Sequence, residues 1–77
     1  MPTLLKEKGF RFFFFSNEHL PKHIHIEKQS AYAKINLISL EIIESFGFNT
    51  KEINVILSIV EHHKEEFIKA WDEYFKA

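Results

Sequence analysis

The chain reads as an α+β domain: a three- to four-stranded antiparallel β-meander packed against one long C-terminal amphipathic helix. Three observations predict this. Residues 23–28 alternate His and Ile with a period of two, the pattern of a strand whose two faces meet different surroundings. Residues 53–75 place Ile53, Ile56, Leu57, Val60, Lys64, Phe67, Ile68, Trp71, Tyr74 and Phe75 on one face at a period of 3.6. Between the two patterns, Asn49 followed three positions later by Glu52 is a capping box, with Phe48 and Ile53 placed for a hydrophobic staple.

Taken in order, residues 10–15 are almost wholly aromatic and predict a strand covered on both faces. Ser16, Asn17, Glu18 and Pro21 form a loop. Residues 23–28 make the second strand, Gln29 and Ser30 turn the chain, and residues 31–37 pair back as a hairpin. Residues 40–43 supply a short fourth strand or an irregular lead, so all strands are expected within 10–43. The helix is expected over about residues 50–76, with a bend near His62 and His63 because that length exceeds the usual range.

The chain has 77 residues, which suits one core and one domain and leaves it only marginally stable. There is no cysteine, which removes disulfides and thiolate zinc sites and leaves a histidine-held metal or self-association as reinforcement. Nine Phe, two Tyr and one Trp exceed what a thin core covers, and predict aromatic surface at an interface. No apolar run approaches the ~18 residues of a membrane span, and no signal-peptide pattern opens the chain, so a cytoplasmic protein without membrane contact is expected. Residues 1–34 carry six Lys or Arg against three Glu, and residues 35–77 four Lys against eight Asp or Glu. That asymmetry permits contact with RNA through the sheet but is far weaker than a dedicated basic stripe.

Strand alternation sorts the side chains. Phe10, Phe12, Phe14, Ile24, Ile26, Ala33, Ile35 and Leu37 are expected to face the helix; Arg11, Phe13, Phe15, His23, His25, Glu27, Tyr32, Lys34 and Asn36 fall on the outer face. The outer face thus holds two imidazoles about 7 Å apart along one strand, with His19 in the preceding loop. Such a set can act as acid and base on a phosphodiester, with His23 and His25 exchanging protons and Arg11 or Lys34 on the phosphate. It can equally hold zinc through His19, His23 and His25, although no cofactor is the leading expectation, since there is no cysteine and Glu27 is the one strand-borne carboxylate near the pair. An ordinary solvated histidine pair and a plain Glu27–Lys34 cross-strand contact are the simpler alternatives. Phe13 and Phe15 on the outer face predict a homodimer, and His62 falls on the solvated face of the helix.

The opening MPTL, the strand GFRFFFF, the segment NEHLPKHIHIEKQSAYAKINL and the helix segment HHKEEFIKAW resemble the small bacterial domain-of-unknown-function 4160 family. Glu18, His19, Pro21, His23, His25, His63 and Trp71 fit its pattern; where the pattern places Asn before the Trp, this chain has Ala70. The resemblance implies one half of a toxin–antitoxin-like two-gene cassette, commonly beside a domain-of-unknown-function 2442 member, and adds His63 to the candidate catalytic set of His19, His23 and His25. With the helix over the opposite sheet face, His63 would reach that set around an edge or from a second subunit. The leading expectation is therefore a module component acting on RNA. Its rivals are a non-catalytic domain docking the cognate partner protein and a small zinc-binding domain.

Overall fold

The computed structural model describes residues 3–76, which form five antiparallel strands followed by two helices. The strands are β1 (Thr3–Glu7), β2 (Phe10–Phe13), β3 (His23–Lys28), β4 (Ala31–Asn36) and β5 (Ile42–Phe46), hydrogen-bonded in sequence order as a meander. The helices are α1 (Thr50–His62) and α2 (Lys64–Tyr74). The α+β class is as predicted, with two corrections: five strands rather than three or four, and two helices rather than one.

The additional strand is β1. Its sequence, Thr-Leu-Leu-Lys-Glu, does not alternate and carries no period-two signal. Its pairing with β2 is made by Lys8 and Gly9, both at positive φ (53° and 85°), the backbone of a two-residue hairpin turn whose twist matches the strands. The last strand begins at Ile42 instead of residue 40. Asn36 accepts the Ile38 and Ser39 amides on its side chain, and Leu40 is left-handed at φ 63°. This tight turn occupies residues that otherwise read as strand.

The predicted capping box is present, with Glu52 N–H to Asn49 Oδ1 at 2.8 Å and Asn49 N–H to Glu52 Oε1 at 3.1 Å. The expected bend falls at His63, whose φ of −103° and ψ of 14° end α1 and start α2. The side chains predicted to face the helix form the core with Ile56, Ile59, Val60, Phe67 and Trp71. The aromatic rings of β2 set the helix position: Phe10 meets Phe48, Phe12 stacks on Phe67, and Phe14 contacts Trp71 edge-on at 5.3 Å. Burial of one such ring contributes about 1.5–3 kcal/mol. Trp71 also reaches His23, at 5.0 Å between rings, so α2 closes the end of the sheet where the β2–β3 loop leaves it. No helix among the described residues is long and apolar enough to cross a membrane.

Candidate functional site

Register places His23 opposite Asn36, and His25 opposite Lys34 on one side and Phe13 on the other, so both imidazoles share the outer face with Arg11, Phe13 and Tyr32. That face is not open over them. Past Phe13 the chain folds back across the sheet, and each histidine is only 2 % exposed. Phe13 is itself buried, while Phe15 lies 4.2 Å from the His25 ring. Of the two rings expected to mark a dimer surface, Phe13 packs within the chain and Phe15 stays 40 % exposed.

Glu18 organises the cluster. Its Oε1 is 2.8 Å from His23 Nε2 and its Oε2 is 2.6 Å from His25 Nε2. The same Oε2 accepts the Phe15 amide at 2.9 Å, which closes the loop over the sheet. The opposite ring nitrogens are also engaged, His23 Nδ1 with the Pro21 carbonyl at 2.7 Å and His25 Nδ1 with the Tyr32 hydroxyl at 2.6 Å.

The proton positions follow from which atoms can donate. A carbonyl only accepts, so His23 Nδ1 donates to Pro21. Two unprotonated acceptors do not approach to 2.8 Å, so a further proton lies between His23 Nε2 and Glu18 Oε1. His25 donates from Nε2 to Glu18 and accepts from Tyr32 at Nδ1, which is the neutral ring. Burial pushes the His25 imidazole down, outweighing the pull of Glu18, and His23 and Lys34 add to the depression. Burial pulls the Glu18 carboxyl up, but the Phe15 amide, the His23 hydrogen bond and the two imidazoles together hold it below its ordinary value. The Tyr32 hydroxyl is pushed up to about 12 by burial, with Glu44 and Glu18 contributing, so it stays a donor.

The other predicted site residues stand outside this hydrogen-bonded cluster, and Lys34 borders it. His19 is exposed, and the three ligand-bearing side chains that come together among the described residues are Glu18, His23 and His25. His63 stacks on Phe67 at the junction of the helices, beside Glu66 and Glu7. Arg11 is engaged with Glu27 at 2.7 Å, with Thr3 at 2.9 Å and with the face of Phe13 at 4.2 Å. Lys34 flanks His25 across the β3–β4 ladder. From the sequence Glu18 reads as a loop residue that fits the family pattern, outside the candidate site set. Its one local signal is spacing: a carboxylate can accept the amide of the residue three positions earlier, here Phe15, just past the end of β2.

The model of a family described as a domain of unknown function, DUF4160, matches residues 9–72. The chain belongs to that family. No curated protein and no solved structure matches it. The DUF4160 match takes in the whole Glu18–His23–His25 cluster, Tyr32, His63 and Trp71, and begins after β1.

Proposed function

We propose that this DUF4160 domain is the protein-docking member of a toxin–antitoxin-like two-gene module, and that it holds its partner by strand addition at β5. The module itself rests on the family resemblance. The observation that carries the docking reading is the state of β5, an edge strand with all five residues exposed, where Ile42, Ile43 and Phe46 are 42 %, 46 % and 61 % accessible. Unpaired edges template association, and natural sheets protect them with charge or coverage. The other edge, β1, follows that rule with Lys6 and Glu7 beside partly buried Leu4 and Leu5. β5 exposes apolar side chains instead, and Ile38 next to it is 57 % accessible.

The acids Glu41 and Glu44, both exposed, interrupt this apolar edge. Charge complementarity thus favours an extended partner segment that alternates apolar and basic residues, a strand-addition mode in which backbone pairing supplies affinity and side chains supply choice. Acid–base work on RNA fits the geometry less well, because His23 and His25 are enclosed and every ring nitrogen is engaged. It would require the 14–22 loop to open.

Calorimetric titration of the purified product of the adjacent gene tests this reading. The expected result is a 1:1 complex that Ile42→Lys weakens at least about tenfold, a loss in line with removal of one apolar anchor. Sedimentation of the chain alone as a dimer broken by Ile42→Lys would instead assign β5 to a second copy and overturn the hetero-docking reading. So would unaltered binding by the variant.

A further inference from the structure

We propose that Glu18, His23 and His25 form a binding site for a divalent first-row transition metal, a two-histidine, one-carboxylate centre of the kind that suits zinc. It is independent of the docking reading, which concerns the edge strand β5 rather than the interior strand β3.

The donor atoms of the three side chains lie within 4.8 Å of one another. Their identity matters more than their proximity. Both histidines present the same nitrogen, Nε2, to one carboxylate. Both have Nδ1 held from behind, His23 by a backbone carbonyl and His25 by a tyrosine hydroxyl. Metal-bound imidazoles are oriented in this way, with the non-ligating nitrogen fixed by a carbonyl, carboxylate or hydroxyl that sets ring angle and basicity. A buried carboxylate needing only charge compensation would be satisfied by one such ring. Here two converge on it, each fixed from behind and each only 3 % exposed at the side chain.

The surroundings fit as well. Phe13, Phe15, Tyr32 and Trp71 wall the cluster, a low-polarity shell that strengthens metal–ligand electrostatics. Glu18 also lines a shallow cleft with Leu20, Lys22, Trp71, Asp72 and Phe75, through which an ion and a solvent ligand can arrive. The present nitrogen–oxygen separations of 2.8 and 2.6 Å are hydrogen bonds. Ligands around one tetrahedral zinc at ~2.0–2.1 Å stand about 3.3 Å apart, so metal entry lengthens these two separations by about 0.5 and 0.7 Å; the proton between His23 Nε2 and Glu18 leaves to solvent, and the His25 proton moves from Nε2 to Nδ1, where the Tyr32 oxygen turns to accept it. Three protein ligands leave a fourth position for water, the arrangement of an accessible rather than a closed site.

The test uses the full chain without an affinity tag. Zinc chloride is titrated by calorimetry, with Trp71 fluorescence as a second readout because that ring lies 5.0 Å from His23. The wild type is expected to bind one zinc per chain and to gain thermal stability on binding. Glu18→Gln is the discriminating variant. Its amide oxygen accepts the Phe15 amide and the His25 Nε2–H, and its NH2 donates to a neutral His23, so every hydrogen bond of the metal-free cluster survives while the anionic ligand is lost. It is expected to fold as the wild type by circular dichroism and to bind zinc at least about 100-fold more weakly, while Tyr32→Phe, a positioning residue, loses about tenfold. The double variant His62→Ala, His63→Ala keeps wild-type affinity. Absence of stoichiometric zinc on the wild type, wild-type affinity in Glu18→Gln, or loss of binding in the His62, His63 variant would each overturn the site. Should Glu18→Gln not fold, undiminished affinity in Tyr32→Phe does so.

Discussion

Strands β3 and β5 lie two positions apart in one sheet and invert the usual relation between hydropathy and burial. β3 carries His23 and His25 among its first four residues, and all four are buried; β5 reads Ile-Ile-Glu-Ser-Phe, and all five are exposed. The cause is position in the sheet. β3 is flanked by β2 and β4 and covered by the helices on one face and by the loop that Glu18 fastens on the other, whereas β5 has a neighbour only in β4. Polar side chains can be buried where their hydrogen bonds are complete, and no buried side-chain nitrogen or oxygen lacks a partner among the described residues. Apolar ones stay exposed where nothing within the chain reaches them, and a contiguous patch of that kind marks a contact surface. The interior strand is thus completed by its own chain and the edge strand is not.

The largest expected effect breaks the completed side of this contrast. Glu18→Ala leaves the Phe15 amide and two buried imidazole nitrogens without their acceptor, and is expected to cost about 3–5 kcal/mol, the scale of removing one partner from a buried charged pair. Glu18→Gln keeps the hydrogen bonds and should cost less than about 1.5 kcal/mol. Urea unfolding of the metal-free variants measures both. Equal costs would mean that the loop is held by packing of Phe14 and Phe15 rather than by the carboxylate.

Acid is a reversible way to loosen the same cluster in chelator-treated protein. The His25 imidazole sits below its ordinary 6.5, so the stability it contributes is complete above that pH and is lost as pH falls through the depressed folded value. Glu18 sits below its ordinary 4.5, so its contribution is complete above 4.5 and lost as pH falls further. Both slopes have one sign. His23, Lys34 and Tyr32 are the other titratable groups facing His25. The urea midpoint should decline from about pH 6.5 downward, and a flat profile between pH 7 and 5 would show that the histidines are not enclosed in solution.

The completed side was also the more legible one. Alternation in residues 23–28 and 31–36 identifies a hairpin and sorts its faces, because a strand with an aliphatic row must turn that row to the core. The capping box marks the start of α1 because its two reciprocal hydrogen bonds depend only on local spacing. Closure of the 14–22 loop is not periodic. The histidine pair was visible as an outer-face feature, but its coverage depends on Glu18 bridging rows of the sheet that no single-strand pattern encodes. β1 is illegible in the sequence for a related reason: the β2 backbone pairs with it through a turn of Lys8 and Gly9 rather than a side-chain rhythm.

On the open side, Gly47 links β5 to the helix start. It is left-handed at φ 85°, and a Cβ there would lie 3.0 Å from the Cα and Cβ of Ala31. Gly47→Ala combines backbone strain with a backbone clash and should cost about 1–2 kcal/mol. A loss below about 0.5 kcal/mol, measured by urea unfolding, would mean that the end of β5 moves away from β4 without penalty, and would weaken the case for β5 as a formed docking edge.

The smallest expected effect on stability sharpens the comparison most. Phe46 stands opposite Tyr32 at the end of β5 with 61 % of its surface accessible, so the folded monomer derives little from its ring. Phe46→Lys should therefore change unfolding free energy by no more than about 0.5 kcal/mol, the range of surface substitutions. Protein concentration supplies the second axis. A chain that self-associates through β5 gains apparent stability as concentration rises, because association draws on the folded state alone, and Phe46→Lys would abolish that dependence. A chain whose β5 awaits a different protein shows no dependence in either form. A change of more than about 2 kcal/mol at every concentration would place Phe46 in a covered environment within the monomer, and the contrast between the enclosed interior strand and the open edge would no longer hold.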